Sequence, residues 1–172
     1  MEWGGERVVA TITSDVIAKL DPAIHHLKEI AFKFDGGTAA MTPLEKIQAL
    51  KMPFAELKGV TFVEAEKDRV MARMQVRPDL CTLYQMLHGG AIMAFADSVG
   101  AAATIINLPE DAKGTTTLES KTNFIGGAKE GTTVVATATP IHRGRRTQVW
   151  QTRLETDDGT LVAIVTQTQM VL

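Results

Sequence analysis

Between residues 60 and 171 the chain alternates apolar and polar positions in short runs, with one long stretch where the alternation stops. Residues 60–65 predict a strand, Lys67-Asp68 a turn, and 70–76 a returning strand. Over about 90–106 nearly every position is small or apolar, which predicts a helix apolar on almost all sides, ended by Leu108-Pro109. Strands follow at 115–124, at 132–141 with Val134, Ala136 and Ala138 on one face, and at 146–155 with Val149, Trp150 and Leu154 as the apolar positions. Asp157-Asp158-Gly159 reads as a hairpin turn, and 160–171 closes the sheet. The order predicts an α+β fold: a hairpin, one long helix, then strands meandering antiparallel. Such a helix has to be wrapped by a curved sheet, and its all-round apolarity leaves room for a second subunit against it.

The first 58 or so residues read differently, as helical. Asp21-Pro22 resembles an N-cap with proline at the first helical position. Ile24, Leu27, Ile30, Ala31 and Phe34 then recur at helical spacing until Gly36-Gly37. Thr42-Pro43-Leu44-Glu45 is a capping box for a short helix to about Leu50. Met52-Pro53-Phe54 breaks it and begins a last turn ending near Gly59.

A length of 172 residues suffices for one domain with a real core. The net charge of −2 supplies no global basic field for nucleic acid. Cys81 is the only cysteine, so no intrachain disulfide forms, which fits a reducing compartment and a cytoplasmic protein. Residues 1–7 hold two glutamates and no basic stretch of the secretory kind. The apolar run 89–107 is interrupted by Asp97 and reads as a core helix, with no membrane partner.

That interruption is the chain's chemical signature. Asp97 stands in the middle of an apolar helix that starts at His88-Gly89-Gly90. A buried carboxylate is costly unless it is paired or used. Backbone N–H groups at a helix start can bind an oxygen carrying negative charge. Asp97 is therefore the first candidate for a general base or nucleophile, and Gly89 with Gly90 for polarising a carbonyl. His88 reads as a positioning residue. His25 and His26 point about 100° apart on a helix and do not pair as metal ligands. Cys81 has no base placed beside it.

The pattern resembles the hotdog-fold acyl-CoA thioesterases, in particular the branch typified by phenylacetate-degradation thioesterases. The resemblance is carried by His88-Gly89-Gly90 followed by Asp97, by Met52-Pro53-Phe54, Arg77-Pro78 and Asn123-Phe124-Ile125, and by the Arg143-Gly144-Arg145 turn. It covers roughly 52–172, so 1–51 is expected to be a helical N-terminal extension and 52–172 a curved antiparallel sheet wrapped around one central helix. It implies hydrolysis of an acyl-CoA thioester, with no cofactor beyond the coenzyme A of the substrate. It further implies the Gly89 N–H on the thioester oxygen and the Thr117 hydroxyl near the catalytic carboxylate. Where the family often has an asparagine six residues before the histidine and a glycine three before it, this chain has Thr82 and Gln85. The water-positioning role falls to one of these two. Gly126-Gly127 replaces a usual Arg-Pro.

Gly89 and Asp97 are eight residues apart, roughly 12 Å along a helix. One carbonyl carbon cannot touch both within a chain, so the expected unit is a homodimer, or a dimer of dimers, with composite sites. His142-Arg143-Gly144-Arg145-Arg146 sits at a strand-to-strand turn. Guanidinium forks suit phosphate oxygens, which makes Arg143, Arg145 and Arg146 candidates for the phosphates of coenzyme A. Two rivals are a non-catalytic acyl-CoA-binding or regulatory module, and a dehydratase of the same fold. The latter's Asp/His arrangement is not found here.

Overall fold

The computed structural model describes residues 41–172. The helix expected after Asp21-Pro22, its Gly36-Gly37 stop and the His25-His26 pair lie outside the described residues. Helix α1 (Pro43–Ala49) starts on the expected capping box: Thr42 Oγ1 accepts from the Glu45 N–H, and the Glu45 carboxylate accepts from the Thr42 N–H at 2.7 Å. Helix α2 (Pro53–Lys58) ends at Gly59, whose φ of 75° is the left-handed conformation that glycine adopts freely. Arg77 closes that end, donating from Nη1 to the Lys58 carbonyl and from Nη2 to the Leu57 carbonyl, each at 2.9 Å.

Six strands follow the predicted pattern to within two residues at either end: β1 (Thr61–Glu66), β2 (Arg69–Gln75), β3 (Thr115–Phe124), β4 (Thr133–Arg143), β5 (Thr147–Thr156) and β6 (Leu161–Val171). The long helix, α3 (Gly89–Ile105), lies between β2 and β3 in the chain. Every neighbouring pair is antiparallel, in the order β1-β2-β4-β5-β6-β3. The simple meander expected after the helix is corrected in one respect. Strand β3 pairs with the last strand, β6, because α3 carries the chain across the sheet to its far edge. Only β4, β5 and β6 meander.

The sheet wraps α3, which makes this the hotdog arrangement. Ile92, Phe95, Ala96, Val99, Ala102 and Ala103 are buried in one core with Val70, Ala72, Met74, Val134, Ala136, Trp150 and Leu154. The wrapping is not complete. Gly90, Met93, Ala94, Asp97, Ser98 and Ala101, at helical spacing along one side, stay partly or fully exposed. Strand β3 is an edge of the sheet and exposes Leu118 and Phe124. Among the described residues no helix is long and apolar enough to cross a membrane.

Candidate active site

The site is built where the open stripe of α3 meets the polar end of β3 and β6. Asp97 is partly exposed on that stripe in the single chain. Its Oδ1 accepts from Thr117 Oγ1 at 2.9 Å and from Gln167 Nε2 at 2.8 Å. Among the described residues Oδ2 has no hydrogen-bond partner, so one oxygen is anchored and the other left for chemistry.

A chain of donors fixes the sense of this network. Gln169 Nε2 donates to Thr117 Oγ1 at 2.8 Å, so the threonine's proton is directed at Asp97. Thr115 Oγ1 lies 3.0 Å from Gln169 Oε1 and 2.9 Å from the Met170 carbonyl, and its one proton serves these two acceptors. Gln167 and Gln169 are fully buried, at positions of β6 where strand alternation calls for apolar residues. A bulge shapes the partner strand. Thr117 pairs with Gln169, the register shifts at Leu118, and Ser120 pairs with Gln167. Thr117 and Ser120 are three residues apart and would face opposite ways in a regular strand. The bulge turns both toward the helix.

His88 is the N-cap of α3, and its Nδ1 accepts from the Gly90 N–H at 2.8 Å. The Gly90 N–H is thus engaged by its own helix cap. The Gly89 N–H has no partner among the described residues and stands free at the positive end of α3. Its surroundings are tight: a Cβ on Gly89 would lie 3.2 Å from the Phe124 ring.

Thr82 and Gln85 lie on an exposed turn in which the Thr82 N–H donates to the Met86 carbonyl at 2.7 Å and Gln85 takes a positive φ of 56°. Among the described residues neither side chain makes a hydrogen bond, and neither reaches Asp97. The arginine turn lies at the opposite end of α3 from Gly89, about 25 Å away along a 17-residue helix. Arg143 is held in place there. It donates to the Lys67 carbonyl at 2.9 Å and to Asn107 Oδ1 at 3.2 Å, and pairs with Asp68 at 2.6 Å. Arg145 makes an exposed pair with Asp111 at 2.8 Å, and Arg146 is exposed. Cys81 is partly buried, and burial pushes its thiol above the usual range, with the charges of Glu130 and Asp79 acting in the same direction. Among the described residues no group of three His, Cys, Asp or Glu side chains could hold a metal ion.

One residue of this region escaped the sequence reading. Lys58, at the end of α2, is 2% exposed. Its Nζ donates to the Phe54 carbonyl at 3.0 Å and sits 3.6 Å from the centre of the Phe54 ring. Burial holds the ammonium below the usual lysine range, and the nearby charge of Asp97 partly offsets this. The glutamines of β6 were missed as well. Their only sequence signal was polarity at alternate positions of a buried strand.

Comparison with known proteins gives the family. Residues 84–163 match the thioesterase superfamily. The 1,4-dihydroxy-2-naphthoyl-CoA hydrolase of Listeria monocytogenes is 30% identical over 116 residues, covering 66% of this chain and 90% of the relative. Among solved structures, a mutant of the thioesterase PA1618 from Pseudomonas aeruginosa is 32% identical with a TM-score of 0.70, covering 77% of this chain and 96% of that one. A mutant of the phenylacetic acid degradation protein PaaI from Thermus thermophilus is 27% identical with a TM-score of 0.64, covering 70% and 100% respectively. The chain belongs to the thioesterase superfamily, and it is a thioester hydrolase.

Proposed function

We propose that the protein hydrolyses an acyl-CoA thioester to the free acid and coenzyme A. The observation that carries this reading is the pairing of a free Gly89 N–H at the start of α3 with an Asp97 carboxylate anchored by one oxygen only. The Gly89 N–H receives the thioester oxygen and, with the helix dipole, stabilises the oxyanion as it forms. Asp97 takes a proton from water as the water oxygen bonds to the carbonyl carbon. The tetrahedral intermediate then breaks its C–S bond, and the thiolate leaves and is protonated. Direct attack by Asp97 would instead give an acyl-aspartyl anhydride, which water cleaves. Neither route calls for a metal or redox cofactor.

The working unit in this reading is a homodimer, or a dimer of dimers, with composite sites. Within one chain Gly89 and Asp97 are roughly 12 Å apart along α3. The open stripe of α3 and the edge strand β3, with Leu118 and Phe124 exposed, leave a face for a second copy, which would bring its own Asp97 toward Gly89. Thr82 and Gln85 have side chains free to hold the attacking water, and His88 positions the helix start. Arg146 is exposed and Arg145 is held only by its exposed pair with Asp111, so both can turn to the phosphates of coenzyme A, while Arg143 is tied to Asp68. The Listeria relative named above is a hydrolase of a CoA thioester, which supports the choice of leaving group.

Free-thiol release from short, long and aromatic acyl-CoAs tests the reading. Turnover on at least one of them is expected, falling by about 10²–10⁴-fold in Asp97→Asn. Binding of acyl-CoA without any thiol release would leave a non-catalytic module and overturn it.

A further inference from the structure

Buried polar atoms without a hydrogen-bond partner gather on β3, β5 and β6 among the described residues. Ser120, Gln167 and Trp150 stand in one row across β3, β6 and β5, and Oγ, Oε1 and Nε1 respectively are the unpartnered atoms. Thr122 and Thr152, with unpartnered hydroxyls, flank Val165 in the next row. Gln167 and Trp150 are fully buried. Gln167 Nε2 donates to Asp97 Oδ1 at 2.8 Å, which fixes the sense of the amide. Turned over, it would set its carbonyl oxygen against the carboxylate. Oε1 therefore faces away from Asp97, and there α3 presents Gly100, which has no side chain to donate. The indole N–H of Trp150, beside it in register, can only donate, and Gln167 Oε1 can only accept. The two nevertheless do not bond to each other. Groups of this kind are costly to bury unless something satisfies them. One water satisfies all three atoms of the row, accepting from Trp150 Nε1 and donating to Gln167 Oε1 and Ser120 Oγ. Three protein partners are the usual number for a buried water.

We infer that the row Ser120–Gln167–Trp150 holds a buried water, and that Trp150 and Ser120 are positioning residues which act through it. The water holds Gln167 Oε1 away from the carboxylate, and so keeps Nε2 on Asp97. The inference rests on the proposed role of Asp97 in hydrolysis. It extends that role to two residues that make no hydrogen bond to the carboxylate themselves.

Crystal structures of the native protein and of Trp150→Phe test the site. In the first, density for a water is expected within hydrogen-bond distance of Trp150 Nε1 and Gln167 Oε1. In the second, the Gln167 amide is expected to turn or withdraw from Asp97. A direct Trp150–Gln167 bond, a row without that density, or an unmoved amide in Trp150→Phe overturns the inference. Kinetics test the role, on whichever of acetyl-, octanoyl- and benzoyl-CoA the native protein cleaves fastest. Trp150→Phe and Ser120→Ala are each expected to lower kcat by about three- to tenfold with KM little changed, and Ser120→Thr to recover most of the loss. Adding Trp150→Phe to Gln167→Met is expected to cost nothing further, because the amide it orients is already gone. Thr152→Val removes a buried hydroxyl from the next row and is expected to leave kcat as it is. Losses that multiply in the double variant, an equal fall in Thr152→Val, or an unchanged kcat in both single variants overturns the inference. Should Trp150→Phe fail to fold, Ser120→Ala replaces it in every arm. If no thioester is cleaved, or Asp97→Asn is as fast as the native protein, it is the hydrolysis reading that falls. The two crystal structures then decide the water and its hold on Gln167 alone.

Discussion

Gly100 makes room for Gln167. A Cβ at position 100 would stand 2.9 Å from Gln167 Cδ and closer still to Oε1. The missing side chain on α3 is what lets a fully buried glutamine of β6 reach up to the Asp97 carboxylate.

Gly100→Ala is therefore a test in which two effects oppose each other. Alanine in a helix interior is favoured over glycine by about 1 kcal/mol. The same methyl displaces Gln167, whose burial leaves it little space to retreat. Activity is expected to fall roughly tenfold, as for one hydrogen bond to a charged group. The fall should appear in kcat more than in KM, since the change orients a reacting group. Steady-state kinetics beside a melting curve would check this. Unchanged kcat would show that Gln167 does not position Asp97.

Thr117 carries the second anchor. Thr117→Val removes the donor to Asp97 and leaves Gln169 Nε2 without its acceptor. A loss of about 1.5–3 kcal/mol in transition-state stabilisation is expected, roughly 10–150-fold in kcat/KM. Thr117→Ser keeps the hydroxyl and should recover most of the rate. A serine variant as slow as the valine variant would point to packing.

His88 is expected to act through the helix. His88→Ala should lower stability by about 1 kcal/mol through loss of the N-cap. His88→Asn restores an acceptor for the Gly90 N–H and should restore both stability and rate. A stable but inactive asparagine variant would mean that the imidazole takes part in proton transfer.

Lys58 gives a pH signature. Its folded-state value lies below the ordinary one of about 10.4, so between the two the unfolded chain binds more protons. Stability from this group then rises as pH climbs through that window and is lost as pH falls through the folded-state value. Urea unfolding of native protein and Lys58→Met between pH 7 and about 10.5 should show the native curve rising relative to the mutant. Parallel curves would mean that the ammonium is not strained by burial.

The arginine turn can be tested by charge removal. The Arg145–Asp111 pair is exposed and easily opened, worth about 1 kcal/mol at most. Replacing Arg145 and Arg146 together by glutamine should raise KM for an acyl-CoA more than for the matching acyl-pantetheine thioester. Equal effects on the two would remove the phosphate-binding role.

The strands were legible because alternation is a local signal: Val134, Ala136 and Ala138 are all buried, as their spacing requires. The helix start was legible because His88, Gly89 and Gly90 are adjacent in sequence. Strand β3's place at the sheet edge was not legible, since pairing with β6 joins segments about 50 residues apart. Gln167 and Gln169 escaped for the same reason, their role being visible only once Thr117 and Asp97 lie beside them. Lys58 escaped because a lysine in the last turn of a helix ordinarily faces water and favours the helix dipole. Asp97 was found as the odd residue in an apolar helix, yet its partial exposure follows from the open stripe, which composition does not reveal.

Strand β6 follows every other described strand in the chain, and it holds β3 and β5 together in the finished sheet. Until it is made, Asp97 has no glutamine beneath it and Thr117 has no strand to lie on. The nascent chain can bury α3 against β2, β4 and β5 and still lack an assembled site. Emergence of β6 is therefore the step that arms the enzyme, after most of the core around α3 already has its partners.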